Sequence, residues 1–389
     1  MVRSPDGGDQ WERDDALTNL MSGTGRFRAY PGITGNAITA DLWPYQQPLM
    51  VAFDPQDPNI LVAGGASSGV FISSDGGESW SLLTDPFTPG TSPIPHLPRP
   101  LWAHFDHDTA GVVRIYLGTG RGVWRVQVPE ADAAIVSFAA VTPPSRVIVG
   151  QPVELTLRKV VTNHGPSTPV NITVSRTATA PSGSSVTPTA SSETATAVAK
   201  DALRTIDERF TITCGAPGPQ TFSFANRIHP ASPAYVDPDP TNNTATAQVT
   251  VECVLPVALN IKPGGFPNAI NPKSTAPVAV LTTAAGEYGL PLAFDATRID
   301  PASVRFGSAS LVFSGTGGAT PIHGAGHIED SYELDETTRD GDLDMVLHFR
   351  VADSDLTSSS TEGCVGGTYL DASGASRRFF GCDSVKISP

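Results

Sequence analysis

The sequence predicts an all-β protein built from three consecutive modules. Short runs of β-branched and aromatic residues recur along the chain, and 37 glycines and 35 prolines among 389 residues favour turns over helices. An octapeptide of pattern S-x-D-x-G-x-x-W occurs twice near the N-terminus, and internal repeats indicate a repeated β-architecture. The residue pattern changes near position 131 and again near position 256. We therefore expect modules over residues 1–130, 131–255 and 256–389.

The repeated octapeptide has the chemistry of a turn. Its Asp accepts hydrogen bonds from backbone N–H groups, its glycines adopt positive φ, and its Trp packs a large ring beneath a hairpin. We predict a structural strand–turn–strand corner, with the acid outside any catalytic role. The residues of this corner are Ser4, Asp6, Gly8 and Trp11 in the first copy and Ser73, Asp75, Gly77 and Trp80 in the second.

A longer repeat covers the same region. Asp54 and Asp106 lie 52 positions apart and occupy matching sites in aligned strand runs, which suits a four-stranded blade. With the octapeptides, this pattern resembles the Asp-box (BNR) repeats of sialidases, xyloglucanases and sortilin-like β-propellers. The resemblance implies partial β-propeller blades over residues 1–130, with the boxes at the rim. Because propellers use four to eight blades, we expect further blades upstream of Met1 or from another chain.

The second repeat also offers a catalytic alternative. His104, Asp106 and Asp108 would share one face of a strand, and glycosidases use two carboxyl groups at a defined separation. The alignment matches Asp106 with Asp54 and His104 with Ala52, so the acids belong to a repeated turn. The sequence shows no nucleophile elbow, P-loop or dinucleotide fingerprint, and no catalytic residue is predicted.

The middle module carries strand runs separated by Ser/Thr/Pro turns, and this spacing predicts an immunoglobulin-like β-sandwich. Turn-rich segments at 163–167 and 237–243 resemble those of the CARDB-like domains of bacterial surface and secreted proteins. The resemblance implies a spacer or adhesion module without catalysis. The predicted strand runs are 134–138, 153–157, 170–174, 209–213, 220–224 and 245–251.

The C-terminal module begins with an I-K-P-G-G segment from Ile261, followed by an apolar strand over 276–281. These segments, a V-R-F-G strand and the H-G-A-G-H and D-G-D-L-D segments resemble a little-characterised terminal domain of exported proteins from environmental bacteria. The resemblance implies secretion or surface display, with no known activity. We expect a β-rich domain over residues 256–389.

Alternating acids in this module suggest a metal loop. Asp340, Asp342 and Asp344 surround a glycine, a pattern that directs several carboxylate oxygens at one hard cation. Asp335 or Asp330 would complete the shell. Calcium is therefore the candidate cofactor, and the alternative is a solvated acidic turn before the next strand.

Histidines offer a second, weaker metal pattern. His323 and His327 flank a glycine-rich segment, with His348 further along the chain. Zinc sites need three or four converging ligands, and this spacing does not place two histidines on one helical face. We therefore interpret these residues as loop histidines that form hydrogen bonds with their neighbours.

The four cysteines indicate the redox state of the cellular compartment. Cys214 and Cys253 fall in the middle module, Cys364 and Cys382 in the C-terminal one, and neither pair has the spacing of a C-x-x-C motif. We predict two disulfides and an oxidising compartment, with four buried free thiols as the alternative.

Charge and hydropathy restrict the partners. The formal net charge is −14 and no basic run occurs, which argues against nucleic acid and anionic membrane surfaces. No run of 18 apolar residues predicts a membrane span, and the N-terminal residues do not form a signal peptide. We expect a non-catalytic, secreted or cell-surface protein that binds carbohydrate or another surface protein, with its signal peptide upstream. The alternative is the C-terminal part of a sialidase- or xyloglucanase-like glycoside hydrolase whose catalytic blades lie upstream.

Overall fold

The computed structural model describes residues 2–4, 8–14, 17, 48–65, 69–77, 80–84, 100–120, 122–230 and 235–388. Over these residues the protein is all-β, as the sequence predicts, and the α-helix α1 (Ala309–Ser314) is short. The 3-10 helices are single turns of three residues each.

The N-terminal module consists of antiparallel β-meanders. Its strands are β1 (Val2–Arg3), β2 (Glu12–Arg13), β3 (Pro48–Phe53), β4 (Leu61–Gly65), β5 (Val70–Ser73), β6 (Ser81–Thr84), β7 (Pro100–Asp106), β8 (Val112–Thr119) and β9 (Gly122–Pro129). β1 pairs with β2, β3 to β6 form one sheet in chain order, and β7 to β9 form another. No closed ring of blades is present among the described residues.

The two larger meanders repeat each other in detail. The β3–β4 register shifts between Pro48 and Met50, and the β7–β8 register shifts between Pro100 and Trp102, 52 positions later. Inward side chains of both sheets form one shared apolar core. The predicted repeat period is therefore present in the pairing, and membership of a propeller stays a prediction.

The middle module is a β-sandwich, as predicted. Its strands are β10 (Ala131–Val141), β11 (Arg146–Ile148), β12 (Pro152–Pro166), β13 (Val170–Thr179), β14 (Ser185–Thr187), β15 (Ala190–Val198), β16 (Arg204–Thr213), β17 (Gly218–Pro230) and β18 (Thr244–Pro256). One sheet has the order β10-β12-β16-β14, and the other has β15-β13-β17-β18 with β11 parallel to β18. All six predicted runs lie in strands.

A polar layer crosses the interior of this sandwich. Lys159, Arg176, Glu193, Glu208 and Asn226 each occupy a position on a different strand, and an apolar cluster lies on either side of them. Lys159 is fully buried and contacts the buried carboxylate of Glu208, with Glu193 Oε1 2.9 Å from its Nζ. Arg176 Nη1 lies 3.2 Å from Glu208 Oε1. Burial of charges is tolerated here because the two cations and two carboxylates compensate each other.

The C-terminal module holds the largest apolar core among the residues that the structure describes. Its strands are β19 (Leu259–Ile261), β20 (Ala269–Ile270), β21 (Thr275–Val280), β22 (Arg305–Gly307), β23 (His327–Glu329), β24 (Asp344–Arg350), β25 (Glu362–Leu370), β26 (Ser376–Ser384) and β27 (Lys386–Ile387). One sheet has the order β19-β21-β24-β23, β22-β25-β26 join the sheet of β18, and β20 pairs with β27.

Hydrogen-bonded backbone joins the modules at both boundaries. At the first boundary, the amide of Val236 in the middle module donates to the carbonyl of Pro129 in the N-terminal module at 3.0 Å. At the second, the end of β18 pairs in parallel with β26, and the amide of Val257 donates to Phe380 O at 3.0 Å. Backbone hydrogen bonds therefore connect the modules on the two sides of each predicted boundary, near 130 and 256.

Both predicted cysteine pairs are disulfide-bonded. Cys214, just after β16, is bonded to Cys253 in β18, and both residues are fully buried in the sandwich core. Cys364 and Cys382 face each other directly across β25 and β26. Each bond therefore lies within a single module.

The polar layer generates a stability prediction. Lys159→Met leaves the carboxylate of Glu208 buried without its lysine, and we expect a loss of about 3–5 kcal/mol in the free energy of unfolding. In Lys159→Met/Glu208→Leu the charges leave together, Arg176 keeps Glu193 as a partner, and most of the loss is restored. Urea unfolding monitored by circular dichroism measures both variants.

The neighbouring residue supplies a matched control. Arg158 forms a solvent-exposed pair with Asp207, with 2.6 Å between Nε and Oδ1. Arg158→Met should change the free energy of unfolding by less than about 1 kcal/mol, because surface pairs contribute little. A double variant as unstable as Lys159→Met would contradict the compensation argument.

Candidate functional site

The second octapeptide is closed by side-chain hydrogen bonds. Ser73 Oγ accepts from the amide of Gly77 at 2.8 Å and donates to Asp75 Oδ1 at 2.7 Å. The indole Nε1 of Trp80 donates to Gly77 O at 3.1 Å. Asp75 is buried, so its carboxylate belongs to the turn itself.

The first octapeptide has the same lock. Gly8 N donates to Ser4 Oγ at 2.6 Å, and Trp11 Nε1 donates to Gly8 O at 3.1 Å. Gly8 has a φ of 111°, a conformation open to glycine at no steric cost. Asp6, the remaining predicted residue of this copy, lies outside the described residues. The corner hydrogen bonds of the described residues are therefore present in both copies, but the ring of Trp11 is 65% exposed, so the predicted packing beneath a hairpin is wrong for the first copy.

The acids of the longer repeat also form turns. Asp54 Oδ1 accepts from the amide of Gln56 at 2.9 Å, and Asp106 Oδ1 accepts from the amide of Asp108 at 2.9 Å. The hydrogen bond from the Asp108 amide lowers the pKa of Asp106, which does not suit a general acid. His107 Nε2 lies 2.8 Å from Asp54 Oδ2 and links the turns of the two sheets. Asp54, Asp106 and His107 therefore have structural roles in the turns of the repeat.

Five carboxylates of the C-terminal module converge in what we call the acidic cluster: Glu287, Glu333, Asp340, Asp342 and Asp344. Carboxylate oxygens of Glu287, Glu333 and Asp340 lie within 4.8 Å of one another, as do those of Glu333, Asp342 and Asp344. The three predicted aspartates are therefore brought together around Glu333, a residue that sequence reasoning missed, as it missed Glu287.

The two predicted auxiliary acids stand apart from these triads. Asp335 caps its own turn, where Oδ1 accepts from the amides of Thr337 at 2.9 Å and Thr338 at 2.8 Å. These bonds lower the pKa of Asp335 to about 2. Asp330 belongs to neither triad, although its charge raises the pKa of Asp344.

Local backbone structure positions the cluster. Asp344 starts β24 and is fully buried, with Oδ1 accepting from the amide of Thr282 at 2.8 Å and Oδ2 from Ser331 at 3.0 Å. The hydroxyl of Tyr288 donates to Glu333 Oε2 at 2.7 Å. Glu333 is only 6% exposed, and its Oε1 has no hydrogen-bond partner among the described residues. One buried oxygen at the centre of the cluster is thus available to a ligand.

The cluster concentrates negative charge. Burial and the neighbouring carboxylates of Asp340, Asp344 and Glu333 raise the pKa of Asp342 to about 7. Burial also raises the pKa of Glu333 and of Asp344. Among the described residues no lysine or arginine forms an ion pair with these five carboxylates. An all-oxygen, uncompensated donor set has the chemistry of a site for a hard divalent cation.

Comparisons with known proteins give fold likenesses only. The chain matches no known family and no curated protein. A solved CARDB domain of the PF1109 protein of Pyrococcus furiosus, in complex with di-metal ions, is 14% identical over 32% of this chain and 94% of that one, with a TM-score of 0.22.

Two surface proteins are similar at the same level. Domains 4 and 5 of the S-layer protein SbsC are 13% identical over 37% of this chain and 65% of that one, with a TM-score of 0.18. A 1.5-MDa bacterial ice-binding adhesin is 12% identical over 72% of this chain and 76% of that one, also with a TM-score of 0.18. Scores this low carry no argument about activity or partner. None of the described helices is long and apolar enough to cross a membrane.

Titration of the acidic cluster gives a pH prediction. In chelator-treated protein, folded Asp342 binds a proton with a pKa of about 7, well above its ordinary value of 3.8. The folded state therefore holds a proton that the unfolded chain releases, and the free energy of unfolding falls as pH rises from about 4 to about 7.

The variant Asp342→Asn isolates this contribution. Its stability should decline less than that of the unchanged protein across the same window, in urea unfolding at several pH values. The comparison cancels other groups that titrate there, such as Asp237, whose pKa burial raises to about 6. Parallel stability profiles for the two proteins would contradict the prediction.

Proposed function

We propose that this chain is a non-catalytic part of an exported, cell-surface protein. In this proposal the sandwich and the C-terminal module form one continuous β-support, which holds the N-terminal repeat module for binding and binds calcium in the acidic cluster. The observation that carries the proposal is β18, a strand shared by the sheets of the sandwich and the C-terminal module. Such a joint suits a spacer that must keep its length and direction.

Covalent chemistry supports an extracellular setting. A disulfide lies in each of the two modules of the support, and disulfides persist in oxidising compartments. The resemblance of the middle module to CARDB-like domains and of the C-terminal module to exported bacterial domains favours the same setting. A net charge of −14 makes carbohydrate or another surface protein a better candidate partner than nucleic acid.

The N-terminal repeats are the proposed binding part. Their octapeptides and turn acids maintain the shape of the sheets, as Asp-box residues do in the propellers that this region resembles. Asp54, Asp75 and Asp106 are engaged in turns, so the proposal assigns none of these three acids a catalytic role. Binding would then rest on surfaces that the repeats display.

Calcium is the proposed cofactor because of the donors that the acidic cluster offers. Calcium binds six to eight oxygen ligands at about 2.3–2.6 Å and tolerates irregular geometry. The acidic cluster supplies Glu333 with Asp342 and Asp344 on one side and with Glu287 and Asp340 on the other. A divalent cation would offset the repulsion among these groups and hold the start of β24, a strand of the C-terminal core.

The calcium proposal predicts stabilisation by the metal. Millimolar calcium added to chelator-treated protein should raise the thermal midpoint, since a ligand bound only to the folded state stabilises it. Glu333→Gln should abolish most of this rise. Asp353→Asn, which changes an exposed acid of the same module, should keep it. Differential scanning calorimetry measures all three proteins, and an equal rise in Glu333→Gln would refute the site.

The rigid support predicts slow hydrogen exchange at the joint between modules. The amide of Val257 donates to Phe380 O, so it should be protected to a similar degree as Val251 in the sandwich core. Exchange measured by mass spectrometry or NMR on the full chain tests this. If Val257 exchanges as fast as an exposed turn such as Gly183, the joint is a flexible linker and the proposed support fails.

A further inference from the structure

We propose that His323, His327 and His348 form a second metal site, which binds a divalent transition-metal ion such as Zn²⁺. We call these residues the three-histidine site. It lies in the C-terminal module, and its nitrogen donors select a different class of cation from the oxygen donors of the acidic cluster.

Strand pairing brings the three residues to one face. His327 begins β23 and lies opposite Val346 of β24. His348 follows two positions later, so it shares a face with Val346 and hence with His327. The chain just before His323 is also tied to β24, because the amide of Ile322 donates to the carbonyl of His348 at 2.8 Å. The backbone thus places residues that are 25 positions apart in sequence around one point.

The imidazole rings are close to the spacing of a metal-bound set. Ring centroids are separated by 6.2 Å for His323 and His327, 6.5 Å for His323 and His348, and 5.7 Å for His327 and His348. With Zn–N bonds of about 2.0–2.1 Å and tetrahedral angles, three ring centroids would lie roughly 5 Å apart. Binding therefore requires the separations between the rings to shrink by about 1 Å.

The glycine-rich turn between His323 and His327 can provide this movement. His323 and His327 are exposed, and the three residues between them include Gly324 and Gly326. Gly326 has a φ of 64°, in the left-handed region where glycine is unstrained. The exposed rings of His323 and His327, at the two ends of this turn, rotate without disturbing the core. His348 lies on a core strand and is the fixed ligand, which we call the anchor.

The side chain of His348, the anchor, has a nitrogen that is free to bind a metal. Its Nδ1 is buried and has no hydrogen-bond partner among the described residues. Burial and the neighbouring rings of His327 and His323 lower the pKa of His348, which favours the neutral form of its ring. Glu329, two positions after His327 on the same face of β23, provides nearby negative charge. Three imidazoles leave one coordination position for water or for a donor from another molecule.

The two proposed sites share one strand but remain separate. Asp344 of the acidic cluster and His348 lie four residues apart on β24, which corresponds to about 13 Å along an extended strand. Calcium at saturation should therefore leave the three-histidine site open to zinc, and an experiment can address each site alone.

Isothermal titration of untagged, chelator-treated full chain with Zn²⁺, in millimolar calcium, tests the proposal. We expect one saturable zinc site per chain, weakened at least tenfold in His348→Ala and in His323→Ala. His323 is exposed, so its variant remains informative if His348→Ala fails to fold. His164→Ala is the matched control, since His164 is an exposed histidine of the middle module, and it should bind zinc unchanged.

Cobalt substitution gives a second readout. Co²⁺ bound to three imidazoles in a tetrahedral field should give visible d–d absorption that His348→Ala removes. Absence of saturable zinc binding, or equal binding by His164→Ala and both site variants, would overturn the proposal. Loss of zinc binding in Glu333→Gln would also overturn it, because the metal would then belong to the acidic cluster.

Discussion

Strand β18 fixes the position of the C-terminal module relative to the middle module. Its alternate residues Val249, Val251 and Cys253 lie in the core of the sandwich, and Leu255 continues the same alternation into the core of the C-terminal module. A shift of one residue in its register would turn these side chains outward in both modules at once. The bond between Cys253 and Cys214 opposes such a shift. The placement of one module on the other is therefore a property of sheet pairing.

Charge compensation separates the structural polar groups of this protein from its candidate ligand groups. In the sandwich, Lys159 and Arg176 meet Glu193 and Glu208, so the charges of the polar layer sum to zero within the chain. In the acidic cluster, the five carboxylates have no such partner among the described residues, and burial raises the pKa values of Glu333, Asp342 and Asp344. Both arrangements follow one rule, that a buried charge needs an opposite charge. The second arrangement must obtain it from solution or from protons.

The sequence predicted features encoded over short distances. The six strand runs of the sandwich and the aspartates of the D-G-D-L-D segment are local patterns, and the structure places them accordingly. β15 was missed because its Ser, Thr and Ala residues lack the β-branched apolar alternation used to recognise strands. Glu287 and Glu333 were missed because they reach the aspartates only when β24 is paired. The same pairing places His327, interpreted as a loop residue, in a strand beside His348.

The octapeptides show how far local chemistry alone can determine structure. Trp80 packs against a small apolar cluster, whereas Trp11 is 65% exposed. Both indoles nevertheless donate to the carbonyl of the glycine three positions earlier, at 3.1 Å in each case. Because the bond forms with or without burial of the ring, the turn does not depend on the core beneath it. The serine and glycine fix the corner, and this leaves the tryptophan face available for packing against whatever lies next to it.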